Sequence, residues 1–284
     1  MRSGRVERLP YSLSRWTDLS GSPNKWAWFE VMLDQGSMMG IDPRTGLPDR
    51  WSLAREDTMG LIFWTRNSRN LIRHADRLKK AYADPQTGHV PIVAHFTLTG
   101  WHEVEKGAPN LGEGLALLQD TVAAFGAENV TWRFSPVPMV TDVVDRFEII
   151  AKKAAEMGLK EVFVSFLQEN DRMPETRAPR VRSETLRLLA GRSHGLKVLL
   201  CNEDRTLDLR GVTNLDRGIC ESGKRFVQTD YQIDGPKTEG CGCSLAVDPF
   251  TVNETCSMGC AFCYAADKTL SPKKRNTTRL RVVS

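Results

Sequence analysis

Short β-rich runs alternate with amphipathic stretches along almost the whole of this 284-residue chain, and that alternation restricts its architecture more than any other feature. The strand candidates are 11–15, 60–64, 91–98, 129–134, 161–166 and 197–201, with a weaker seventh at 217–220. Between them the apolar spacing changes to that of a helix. In 142–157, Val143, Phe147, Ile150, Ala154 and Met157 recur three or four apart until Gly158 stops the turn. Helices are also predicted over 68–82, 111–125 and 183–192. A parallel strand pair needs a long crossover, so strand and helix alternating over roughly 30 to 40 residues predict parallel βα units. Six or seven units predict an α/β fold, a partial or full (β/α) TIM-like barrel with a cysteine-rich segment at the far end of the chain. Residues 1–240 are assigned to the barrel, and 241–284 to the cysteine segment and a basic tail packed on it as one unit.

In a barrel of parallel strands the working residues lie where strands end, and the strand ends here are polar. They carry Ser14, Arg15, Thr17 and Asp18 after the first strand, Thr65, Arg66 and Asn67 after the second, and Thr97 and Thr99 after the third. The fourth offers Arg133 and Ser135, the fifth Ser165, and the sixth Cys201, Asn202, Glu203 and Asp204. Some of these are ordinary helix caps, Thr17, Asp18 and Asn67 first among them. His95, Thr97 and Thr99 alternate on one strand face. His95 reads either as a satisfied core histidine or as a catalytic group.

Near the other end Cys256, Cys260 and Cys263 form a Cys-x3-Cys-x2-Cys run with Phe262 before the third cysteine. A cube of four irons and four sulfides takes four cysteines, so a cluster held by three leaves one iron open to a non-protein ligand. The competing reading is a zinc knot with a fourth ligand elsewhere, although zinc motifs more often join two separated close pairs. A disulfide framework fits poorly, because there are seven cysteines and the opening Met1-Arg2-Ser3-Gly4-Arg5 has no apolar leader-like run. The expected location is the cytoplasm, where clustered thiols stay reduced and imply metal or catalysis. No run of about eighteen apolar residues predicts a membrane span.

This cysteine run resembles the cluster motif of the radical S-adenosylmethionine enzymes. The resemblance implies that the open iron chelates S-adenosylmethionine and that reductive cleavage yields a 5′-deoxyadenosyl radical, which takes a hydrogen atom from substrate. Further strings resemble one family, domain of unknown function 1848, whose members look like radical S-adenosylmethionine proteins with the motif moved to the C-terminus. They are Ser12-Leu-Ser-Arg15-Trp-Thr17-Asp18, Gly60-Leu-Ile-Phe-Trp64-Thr65-Arg-Asn67, His95-Phe-Thr-Leu-Thr-Gly100, Trp132-Arg133-Phe-Ser-Pro136, and Cys241-Gly-Cys243 through Tyr264-Ala265. Trp16 stands where an arginine is expected, and Ser135 where an aspartate is expected.

Such an enzyme needs a cation for the carboxylate of S-adenosylmethionine, and a guanidinium can grip it with two bonds. Arg133 is the first choice and Arg15 the second. Thr65, Asn67, Thr99 and Ser165 suit ribose and amine, Phe262 or Tyr264 the adenine, and Glu203 or His95 the substrate chemistry. The four other cysteines, Cys201, Cys220, Cys241 and Cys243, equal the number that closes an iron-sulfur site. A second 4Fe-4S cluster is therefore expected, with zinc as the alternative.

The net charge of +4 is mildly basic, and Lys268, Lys273, Lys274, Arg275, Arg279 and Arg281 crowd the chain after Asp267. Basic residues beside a reactive centre suit phosphates. The leading expectation is a radical enzyme acting on a small molecule, nucleotide or DNA base, by isomerisation or modification, with a reducing electron donor as partner. The alternatives are a zinc-stabilised nucleic-acid-binding protein and an iron-sulfur redox protein without this chemistry.

Overall fold

Runs rich in Val, Ile, Phe and Trp favour strands that are buried on both faces, and such strands pair in parallel when helices cover them. The computed structural model describes residues 9–13, 18–41, 47–84, 88–137, 141–166, 179–201, 207–218, 246–247, 256 and 258–261. In chain order its elements are β1 (Leu9–Leu13), α1 (Pro23–Gln35), β2 (Ser37–Ile41), β3 (Pro48–Ser52), β4 (Thr58–Thr65), α2 (Arg69–Arg73) and α3 (Ala75–Ala81). There follow β5 (Ala83–Asp84), β6 (Gly88–His89), β7 (Ile92–Thr97), α4 (Leu111–Phe125), β8 (Val130–Val137) and α5 (Val143–Glu156). The last are β9 (Glu161–Phe166), α6 (Pro179–Gly191), β10 (Lys197–Leu200) and β11 (Leu215–Arg217).

The protein is a mixed α/β structure built on a seven-stranded sheet in the order β1-β4-β7-β8-β9-β10-β11. Each neighbouring pair in that sheet is parallel, and the order follows the chain without a reversal. Two antiparallel ribbons, β2–β3 and β5–β6, are inserted into crossovers. The outer edge of β1 is taken by Val247, which pairs in parallel with Tyr11. Its N–H donates to the Pro10 carbonyl at 2.9 Å, and its carbonyl accepts the Ser12 N–H at 2.8 Å.

Side chains alternate across the sheet with the period of two that a strand imposes. Phe63, Phe96, Trp132, Val164 and Leu200 share one buried cluster with Phe29 of α1, Leu118 of α4, Phe147 of α5 and Leu186 of α6. Trp64, Phe163, Leu199 and Cys201, each offset by one residue, form a separate cluster on the other face. Among the described residues no helix is long and apolar enough to cross a membrane.

Several predicted elements match closely. β9 and α4 have the expected bounds, and α5 is shorter than expected by one residue at each end. The helix predicted over 68–82 is two helices that meet at His74. β11 overlaps the predicted seventh strand only at Arg217, starting two residues earlier, and Cys220 falls outside the described residues.

α1 and the β2–β3 ribbon were not predicted. α1 starts with Pro23 in its first turn, where the missing N–H costs nothing, and stops at Gly36, whose φ of 65° is left-handed. α4 is capped by the Asn110 side chain, which accepts the Glu113 N–H at 3.0 Å. Replacing Asn110 with alanine leaves that N–H without its cap and is expected to lower stability by about 1 kcal/mol, read as a shift of the urea midpoint at constant slope.

Candidate functional site

Because the strands of the main sheet run in one direction, the loops that leave β1, β4, β7 and β8 gather along its carboxyl edge, the edge at which parallel α/β proteins hold ligands. The cysteine turn is docked there. Gly107 N–H donates to the Met258 carbonyl, and Ala261 N–H to the Val104 carbonyl, both at 2.8 Å. Glu105 and Cys260 form the antiparallel bridge between these bonds. Trp101, Met258 and Cys260 are buried together, with Val104 and Cys256 packed against them. Gly259, at φ 57°, supplies the left-handed residue that turns the chain between Cys256 and Cys260.

Beneath the turn lies a polar joint. Asp18, 5% exposed, accepts the Gly21 N–H at 2.9 Å, the Arg66 N–H at 2.7 Å and the Thr65 hydroxyl at 2.9 and 3.0 Å. Its own N–H donates to Cys256 Sγ at 3.3 Å. Burial pushes the Asp18 carboxyl above its ordinary range, against the pull of the Arg66 and Gly21 N–H groups and the Thr65 hydroxyl. Beside it the buried Glu105 pairs with Arg66 through Oε1 and accepts the Thr99 hydroxyl on Oε2 at 2.8 Å. The second Arg66 nitrogen donates to the Ser135 carbonyl at 3.2 Å. One guanidinium thus ties together the loops after β4 and β7 and the end of β8.

The sheet face opposite the main core presents a second group. Trp64 and His95 are register partners on β4 and β7, and their rings stack at 4.4 Å and 17°. Arg133 places its guanidinium carbon 4.8 Å from the Trp64 ring centre and 5.6 Å from that of Phe163. Both are cation–π distances. Its Nη2 reaches Cys201 Sγ at 3.6 Å. Trp64 Nε1 donates to Ser12 Oγ at 2.9 Å, and the half-buried Ser135 and Ser165 hydroxyls bond to each other.

The structure therefore brings Cys256 and Cys260 together at the carboxyl edge, and sets Arg133, His95 and Cys201 on one sheet face. It gives four predicted ligands other partners, Ser165 through its bond to Ser135 and three more at the joint. The Thr65 hydroxyl donates to Asp18 and accepts the Asn67 N–H, the Asn67 Oδ1 accepts the Arg69 N–H at 3.4 Å, and the Thr99 hydroxyl donates to Glu105. Arg15, Glu203, Cys220, Cys241, Cys243, Phe262, Cys263 and Tyr264 lie outside the described residues. Among the described residues no group of three or more His, Cys, Asp or Glu is placed to hold a metal ion, and the third cysteine of the run is not one of them. Asp18, which reads as a helix cap, is a buried hub instead. Glu105 carried no sequence signal, because an isolated acidic residue in a loop ordinarily faces water.

The family described as Domain of unknown function (DUF1848) matches residues 11–265. The chain belongs to this family. The match begins within β1 and runs past the third cysteine of the run, so it spans both the sheet and the turn docked on its edge. No curated protein matches this DUF1848 chain at a significant level. Among solved structures it is similar to the crystal structure of Aspergillus clavatus Sph3 in complex with GalNAc, at 10% identity and a TM-score of 0.24, over 80% of this chain and 92% of that one.

Proposed function

We propose that this protein is a radical S-adenosylmethionine enzyme whose 4Fe-4S cluster is held by Cys256, Cys260 and Cys263 at the carboxyl edge of a partial or full (β/α) barrel. The observation that carries the reading is the docking of the cysteine turn on the loop after β7, with the Asp18 N–H directed at Cys256 Sγ at 3.3 Å. The described part of the donor set fits such a cluster: the Cys260 thiol is buried and that of Cys256 half-buried, and an amide donates to the Cys256 sulfur, an acceptor that binds more strongly as thiolate. A barrel is supported by the unreversed strand order, by one buried cluster shared with the helices and a separate one on the opposite sheet face, and by Val247 on the open edge of β1.

When bound and reduced, the cluster and S-adenosylmethionine supply a 5′-deoxyadenosyl radical able to remove a hydrogen atom. The chain supplies placement. Arg133, held by two aromatic rings, offers a preoriented guanidinium to a carboxylate, with Arg15 as a second cation. Ser165 presents a hydroxyl at the strand end, Thr65, Asn67 and Thr99 shape the joint below the turn, and Phe262 and Tyr264 neighbour the cysteines in sequence. His95 and Glu203 are the proposed substrate-side groups. Cys201, Cys220, Cys241 and Cys243 are proposed to hold a second 4Fe-4S cluster. The basic residues after Asp267 favour a nucleotide or nucleic-acid substrate that is isomerised or modified.

Anaerobic reconstitution with iron and sulfide, followed by S-adenosylmethionine and dithionite, is expected to yield 5′-deoxyadenosine. Alanine at Cys256, Cys260 and Cys263 together is expected to abolish that product and to lower bound iron from about eight to about four per chain. Protein purified with zinc and unable to take up iron would sink the reading. So would an intact cluster that never cleaves S-adenosylmethionine.

A further inference from the structure

We infer that Asp18 is a positioning residue for the Cys256 sulfur: its clasped carboxylate holds its own backbone N–H on Sγ, and that bond sets the reduction potential of the centre the cysteines carry. The inference rests on the cluster reading above and deepens it.

The geometry has two halves. The Asp18 carboxylate is held by donors from two directions, Gly21 N–H on its own loop and Thr65 Oγ1 and Arg66 N–H at the end of β4. A carboxylate gripped in this way fixes the backbone from which it projects, and the N–H of that same residue meets Cys256 Sγ from across 238 positions of sequence. The loop is pinned on the turn's side as well. Met258 Cε lies where a Cβ on Gly21 would come within 2.7 Å, so the loop and the cysteine turn are in close contact. Hydrogen bonds to cluster sulfurs are among the levers that set iron-sulfur potentials. An N–H donated to sulfur favours the reduced state, which carries more negative charge.

Replacing Asp18 itself would remove a buried charge beside the centre and mix two opposed effects. Thr65→Val keeps the charge and the shape while deleting one of the two donors from the end of β4, together with the acceptor of the Asn67 N–H. In the reconstituted protein, Thr65→Val is expected to keep its iron and to lower the reduced-to-oxidised ratio at the wild-type midpoint by about threefold to tenfold. Thr65→Ser is expected to restore the ratio. In wild type, exchange of the Asp18 amide should be slower by a similar factor with the cluster than without it.

Wild-type protein that takes up no iron and sulfide overturns both this inference and the proposed function. A loaded Thr65→Val protein with an unchanged ratio overturns the inference alone, as does a Thr65→Ser protein that fails to restore it. Should Thr65→Val fail to fold, the wild-type amide decides, and equal exchange in the loaded and cluster-free protein overturns the inference.

Discussion

Glu105→Ala is expected to lower the free energy of unfolding by about 3–5 kcal/mol, the range found when one partner of a buried ion pair is removed. Glu105 is 3% exposed, and both of its oxygens are engaged, one by Arg66 and one by Thr99. Alanine removes the carboxylate that pairs with the Arg66 side chain, 15% exposed, and leaves the Thr99 hydroxyl without its acceptor. The cost lies in the stranded groups and says nothing of the net worth of the pair. Replacing both partners, as Arg66→Met with Glu105→Leu, is therefore expected to recover most of the loss. Urea unfolding of Arg66→Met, Glu105→Leu and the double variant makes this a double-mutant cycle. A double variant as unstable as Glu105→Ala would contradict it. The backbone of Glu105 also pairs with Cys260, so, on the proposed cluster reading, the Glu105→Ala variant is expected to release its cluster at denaturant concentrations the wild type survives.

Phe147→Ala is expected to cost about 3–5 kcal/mol, the range for emptying a large aromatic site in a core. Phe147 is fully buried on α5, stacked on Trp132 at 5.2 Å and meeting Phe134 edge-on at 5.2 Å. Both partners belong to β8, whose next residues along the sheet include Arg133 and Ser135. The site would have to collapse by moving two large rings fixed in the central sheet, so little relaxation is available. Ile149 on the same helix is 51% exposed, and Ile149→Ala is expected to change stability by no more than about 0.5 kcal/mol. Thermal or urea unfolding that ranks the two variants equally would show that the α5–β8 contact is not the core described here.

The parts of the fold that were legible in the amino-acid sequence are those whose pattern is set by burial on a regular element. Val162, Phe163 and Val164 form a continuous apolar run because β9 is covered on both faces, and α5 keeps the 3.6-residue period because only one of its faces is covered. α1 was not legible because Trp26, Ala27, Trp28 and Phe29 are consecutive. Trp26 and Phe29 enter the core while Trp28 is 41% exposed, and an apolar run of that kind has no period to read. At the site the cysteines could be read from their spacing, and Arg133 from its place at a strand end. The roles of Asp18, Arg66 and Glu105 could not, since loop charges look alike in sequence whether they face water or one another. Burial and partner geometry distinguish them, and both depend on segments that are far apart in the chain.

The pairing of Val247 beside Tyr11 and of Cys256 with the Asp18 amide has a consequence for biosynthesis. A ribosome has already made β1 through β11 when it reaches these residues, so the sheet can assemble with its receiving loops in place but its sulfur-bearing turn still absent. The long stretch of chain that each contact closes makes its formation a late and entropically costly step. On the proposed cluster reading, iron delivered during translation would meet a scaffold that cannot yet grip it, and maturation of the centre would follow synthesis of the sheet.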